Sequence, residues 1–128
     1  MDIKLPMILI GDGTLIKYKT IEDAHMDLEA YDIDNYSVYD SNCRRVKLYK
    51  KSKYNDIGFV IENPTPMCEQ LKKEIKEYAK YYELNQFSSD SIDELVKMIP
   101  YYELQYTPIW QKVKRLWSKG GTSKELGF

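Results

Sequence analysis

Between Thr20 and Asn42 the chain has no lysine and no arginine, and between Cys43 and Lys53 it has no aspartate and no glutamate. The first stretch carries seven carboxylates (Glu22, Asp23, Asp27, Glu29, Asp32, Asp34 and Asp40), and the second carries Arg44, Arg45, Lys47, Lys50, Lys51 and Lys53. A formal net charge of -1 conceals this separation. Domains that bind nucleic acid by general electrostatics are usually basic throughout, and the near-neutral total argues against that class. Histidine occurs once, at His25, with no serine or cysteine nucleophile placed beside it by sequence. A lone titratable group without partners reads as structural, so no catalytic residue is assigned and no enzyme is expected. Two cysteines, Cys43 and Cys68, are too few for a disulfide scaffold and lack metal-site spacing. Reduced thiols in a cytoplasmic protein are the expectation. The apolar run Leu5 to Ile10 is broken by Pro6 and stopped by Gly11. It is too short to span a membrane and has no signal-peptide cleavage pattern.

Two familiar loops are also missing. Gly11-Asp12-Gly13 lacks the Gly-Lys-Ser/Thr ending of a phosphate loop and reads as a turn between strands. Asp32-Ile33-Asp34 begins like a calcium loop, but Tyr36 holds the fifth position, Ser37 the glycine position and Cys43 the glutamate position. A looser carboxylate set, Asp32, Asp34 and Asp40, is what remains of divalent-metal chemistry. No metal or cofactor is assigned.

The 128 residues are enough for one core without staples, since single domains commonly run ~100–150 residues. Residues 1–119 read as one α+β domain and residues 120–128 as a small polar tail. Met7 to Ile10 reads as a buried strand, and Leu15 to Lys19 returns from the Asp-Gly turn. Thr20 with Asp23 makes a capping-box start, with Ile21, Ala24, His25 and Leu28 on one helical face. Tyr36 to Tyr39, Val46 to Tyr49 and Ile57 to Ile61 read as three further strands. The order β-β-α-β-β-β implies an antiparallel sheet of about five strands, one face covered by helices. Three helices follow. The first starts at Thr65-Pro66, with Met67, Leu71, Ile75, Tyr78, Ala79 and Tyr82 facing inward. The second opens with Ser91 and Glu94, carries Ile92, Leu95, Val96 and Ile99, and ends at Pro100. The third opens at Thr107-Pro108 and stops at Gly120-Gly121.

Two surfaces carry chemistry. Acids in the first turn of the early helix suit its dipole, but Asp27, Glu29, Asp32 and Asp34 gain nothing from it and repel one another. Interleaved with Tyr31, Tyr36 and Tyr39, and continued by Asp40, they combine attraction for a basic partner with rigid aromatic contact area. The competing surface is Arg44, Arg45, Lys47 and Lys51, with Tyr49 and Tyr54 among them. That is the chemistry of phosphate contact and base stacking, although the acidic neighbour opposes a polyanion.

The run Pro6 to Gly13 leading to Ile21-Glu22-Asp23-Ala24, then Leu28 to Ile33 and Val38-Tyr39-Asp40-Ser41, resembles small bacterial immunity proteins of polymorphic-toxin and contact-dependent growth inhibition systems. The resemblance covers residues 6–50 and is a pattern of helix, acidic loop and hairpin. It implies a cytosolic inhibitor that binds one cognate protein toxin, such as a nuclease, and masks its basic site. It supplies no contact residues. On this reading the partner-binding residues are Asp27, Glu29, Tyr31, Asp32, Asp34, Tyr36, Tyr39 and Asp40. A nucleic-acid-binding regulator using Arg44, Arg45, Lys47 and Lys51 is the alternative.

Overall fold

The computed structural model describes residues 2–52 and 56–103. The third C-terminal helix and the tail expected from the sequence lie outside these residues. Five strands, β1 Met7–Gly11, β2 Thr14–Tyr18, β3 Ser37–Tyr39, β4 Arg45–Lys50 and β5 Ile57–Ile61, form one antiparallel sheet in the order β2-β1-β3-β4-β5. Helix α1 Ile21–Asp27 and a 3-10 helix Ala30–Asn35 lie between β2 and β3, and α2 Cys68–Tyr81 and α3 Ile92–Met98 follow β5. The α+β class and the strand–helix order are those read from the sequence.

The sheet is covered on both faces, not one. Ile8, Ile10, Leu15 and Tyr39 pack with Leu71, Ile75 and Ala79 of α2 and Leu95 of α3. Met7, Leu9, Tyr18, Val38, Val46 and Ile57 pack on the opposite side with Ala24, Leu28, Ala30 and Ile33. Period-two alternation sends neighbours in a strand to opposite faces, so an unbroken Met-Ile-Leu-Ile strand needs an apolar layer on each side. Removing Leu71, Ile75 or Leu95, all fully buried, would forfeit transfer energy and leave a cavity, a cost of about 2–5 kcal/mol each.

Local chemistry sets the helix ends. Thr20 accepts from the Asp23 amide and Ser91 from the Glu94 amide, as the two capping patterns require. For α2 the expected cap is corrected. Met67 occupies the N-cap without a side-chain bond, while the Thr65 amide donates to Asn63 Oδ1 in a turn before the helix. Prolines at 64 and 66 flank that turn and hold the chain out of helix. The face assigned to α1 also changes. Its buried residue is Ala24, followed by Leu28, whereas His25 is exposed with its ring edge-on to Phe59 at 5.2 Å.

The cysteines are joined. Cys43, just after the β3–β4 turn, and Cys68, the first residue of α2, form a disulfide with Cα atoms 5.0 Å apart. The Met67 amide donates to the Cys43 carbonyl beside it at 2.8 Å. The reduced thiols expected from so few cysteines are thus corrected: 25 positions separate the pair, and nothing local in the sequence shows that α2 begins against this turn. The expectation of a cytoplasmic location loses the support it drew from free thiols. Among the described residues no helix is long and apolar enough to cross a membrane.

Candidate interaction surface

The acidic run divides when it is folded. Asp40 is fully buried at the start of the β3–β4 turn. Its Oδ1 accepts from the Asn42 and Arg44 amides at 3.0 and 2.9 Å. Its Oδ2 accepts from the Lys4 amide at 3.1 Å and from Arg44 Nε and Nη2 at 2.9 and 2.6 Å. Burial alone would raise its pKa, but the Arg44 guanidinium and these amides outweigh it and hold the carboxyl below its ordinary range. Tyr39 is buried beside it, donating to Glu74 and lying under the Arg45 guanidinium at 5.1 Å. Burial and the Glu74 bond push the Tyr39 hydroxyl up to about 12, against the pull of Arg45. Asp40 and Tyr39 are therefore structural and leave the partner-binding set. An aspartate at a turn with arginine four places on was the sequence signal for the first of these.

Asp27 also turns inward. Its carboxylate accepts from the Tyr18 hydroxyl at 2.6 Å, closing α1 onto β2. Burial, then the bond to Asp27, raises the Tyr18 pKa.

Glu29, Tyr31, Asp32, Asp34 and Tyr36 remain, and the 3-10 helix brings them together. Ile33 and Ala30 pin that helix to the core, Tyr31 and Asp34 are exposed, and Glu29, Asp32 and Tyr36 are partly buried. Tyr31 is 71% exposed. A hydrogen bond to Glu29 and the charges of Glu29 and Asp32 push its hydroxyl up to about 12. Tyr36 is half-buried, and its pKa is raised first by burial and then by Asp32, Asp12, Asp27 and Glu29. Asp12 was not among the residues singled out from the sequence. It sits at the tip of the β1–β2 hairpin, where Asp12 and Gly13 take the positive φ values, 49° and 76°, of a tight turn.

Gly11 explains how the hairpin reaches this face. Its φ is 143°, and a Cβ there would lie 2.3 Å from the Asn35 carbonyl oxygen and 3.1 Å from Tyr36 Cα. Backbone therefore packs directly on backbone, and Asp12 follows one residue later. Ile10 pairs with Ser37, which aligns the start of β3 with the same hairpin.

Across the hairpin lies a second group, of which the sequence reading placed Tyr78 and Tyr82 on the inward face and did not place Tyr81. Tyr78 donates to the Gly13 carbonyl at 3.0 Å, the Tyr82 ring lies tilted at 4.6 Å from Tyr78, and Tyr81 meets Tyr82 edge-on at 4.9 Å. Leu71, Ile75 and Ala79 make the buried row of α2. Tyr78 and Tyr82 run along its flank, and Tyr81 is 80% exposed. Three tyrosines at the last turn of a helix whose inward row ends in alanine were the available signal. With Asp12, Glu74 and Glu77 they border an open notch of about 390 Å³ floored by Ile10 to Gly13, Asn35 and Ser37.

The two arginines of the basic run are engaged within the fold, and its described lysines are not. Arg44 binds Asp40 and the Asp2 carbonyl, and Arg45 lies 3.9 Å from Glu62 and 4.0 Å from Glu74. Lys47 and Lys51 are exposed, while Lys53 and Tyr54 lie outside the described residues. Among the described residues no three His, Cys, Asp or Glu side chains come together as metal ligands, and Asp40 is held apart from Asp32 and Asp34 by its commitment to Arg44. No protein-family model, curated protein or solved structure matches the chain.

Proposed function

We propose that the chain is a non-enzymatic protein-binding module of the immunity type, which neutralises a cognate toxin by covering its basic site with an acidic, tyrosine-bearing face. The observation that carries this reading is the packing of the β1–β2 hairpin on the 3-10 helix, Gly11 against Asn35 and Tyr36, which brings Asp12 to Tyr36 beside Asp32 and Glu29. Two segments separate in sequence contribute like charge to one surface. Like charges crowd at a cost, so the arrangement is favourable when a cationic partner covers it. The carboxylates would stand where substrate phosphates stand in a nuclease, and the tyrosines would supply contact area with little rotamer entropy to lose. The reading agrees with the resemblance of residues 6–50 to immunity proteins.

The nucleic-acid alternative is weakened by the internal roles of Arg44 and Arg45. The test is capture of partners from source lysate by the full chain and by the double reversal Asp32→Lys/Asp34→Lys. Asp34 is exposed and Asp32 only partly buried, so the variant should fold, which its melting curve checks. One stoichiometric basic protein, lost in the variant, is the expected result. Retention of that partner at unchanged affinity would overturn the reading.

A further inference from the structure

The notch between the β1–β2 hairpin and the end of α2 has features that a diffuse acidic face does not need. Its wall is a cluster of three tyrosine rings in tilted and edge-on contact, its floor is main chain, and its rim carries carboxylates from two elements. Glu74 at the back is already engaged by Tyr39 and faces Arg45. Asp12 and Glu77 make no ion pair among the described residues. Among the described residues no lysine or arginine lines the notch. Gly13 is needed there as well, since a Cβ would come within 3.3 Å of the Tyr82 hydroxyl at a φ of 76°. The hairpin is thus held tightly against the tyrosines. That contact fixes the ring positions, and the edge-on packing of Tyr81 on Tyr82 leaves Tyr81 open to solvent.

We infer that this notch is the subsite for one arginine side chain of the protein partner, seated against Tyr81 and Tyr82 with its guanidinium shared between Glu77 and Asp12. This rests on the protein-binding reading above and names the partner group that docks beside the acidic face. Charge complementarity selects a cation, because the unpaired groups on the rim are anionic. The aromatic wall selects arginine over lysine. A guanidinium is planar and weakly hydrated, so it stacks on a tyrosine face while its edge donates to carboxylates, whereas an ammonium keeps its water. Asp12 belongs to both surfaces: it lines the notch and its charge is felt at Tyr36. An arginine seated there would therefore register the partner against the 3-10 helix.

The experiment needs no cognate partner. The full chain, isotopically labelled, is titrated at low salt with a glycine-serine peptide bearing two arginines, and separately with the same peptide bearing two lysines. Amide shifts confined to residues 11–13 and 77–82 are expected, with arginine binding roughly 3-fold or more tighter than lysine. Tyr81→Ala and Glu77→Gln, both at solvent-facing positions, should each weaken the arginine peptide several-fold at unchanged melting temperature. Equal shifts for the two peptides, or shifts centred on Asp32 and Asp34, would overturn the subsite in favour of unspecific attraction. A flat titration would overturn it too. Either result would leave the reversal of Asp32 and Asp34 as a separate test of the acidic face.

Discussion

Asp32 and Asp40 belong to one acidic run, yet solvent decides what each contributes. Asp40, without solvent contact, is satisfied by three amides and a bidentate arginine, so its charge is part of the fold. Removing one partner of a buried pair strands the other, at a cost of about 3–5 kcal/mol. Asp40→Asn should therefore lower stability by about 3 kcal/mol in chemical denaturation, and Asp32→Asn should change it by less than ~0.5 kcal/mol. The pH dependence follows from the depressed Asp40 pKa. A carboxyl held lower in the fold than in the unfolded chain contributes stability above its unfolded value, near pH ~4, and loses it as pH falls through the folded value. Asp40→Asn should flatten the acid limb of the stability curve below about pH 4. An unaltered acid limb would mean that Asp40 carries no linkage.

At the scale of elements, the strands and both short helix starts were legible because their signals are local. Asp12-Gly13 announces its turn, and Thr20 and Ser91 announce their helices three residues ahead. The contacts that define the surface are between elements and leave no local mark. Gly11 against Asn35, Tyr78 against Gly13 and Tyr18 against Asp27 join segments whose meeting depends on how the sheet is covered. Lys17 is another such case: a lysine in a strand, it is buried, donating to the Val96 carbonyl at 2.8 Å against the ring of Tyr101. Glu29, Tyr31, Asp32, Asp34 and Tyr36 stay exposed or partly exposed on and beside a 3-10 helix anchored by Ala30 and Ile33, and remain in the proposed site. Asp27, Tyr39 and Asp40 were lost to bonds with partners distant in sequence or to burial.

The disulfide is an element-scale device of the same kind, tying the β3–β4 turn to the start of α2. A cross-link across 25 positions restricts the unfolded chain by about 3 kcal/mol in the loop-entropy account. Cys43 is buried and Cys68 partly exposed, so a reductant meets the bond from the Cys68 side. Denaturant titration with and without a dithiol reductant should show a lower midpoint for the reduced chain and an unfolding free energy smaller by that amount. The double substitution Cys43→Ser/Cys68→Ser should remove the difference between the two conditions. Coincident midpoints for the oxidised and reduced parent would show that the cross-link adds nothing to stability.

For the whole molecule, the near-zero total charge sets how far the acidic face can act. With Arg44 and Arg45 paired internally, the acids of the proposed face include Asp12, Asp32 and Asp34, opposed by surface lysines such as Lys47 and Lys51. On the proposed reading a partner would be steered by a local patch and not by the field of a strongly charged protein. Exposed charges are screened beyond roughly 8 Å at physiological salt. Association with the cognate partner should slow by ~10-fold or less between low and physiological salt and then level off, while dissociation changes little. Stopped-flow association at several salt concentrations reads this directly. Asp34→Asn should lower the association rate at low salt and converge with the parent at high salt. Tyr31→Ala should leave association nearly unchanged and raise dissociation, because an exposed ring contributes contact area only after encounter. Equal loss of association rate in both variants would place Tyr31 in the encounter step and remove the division of labour between charge and ring.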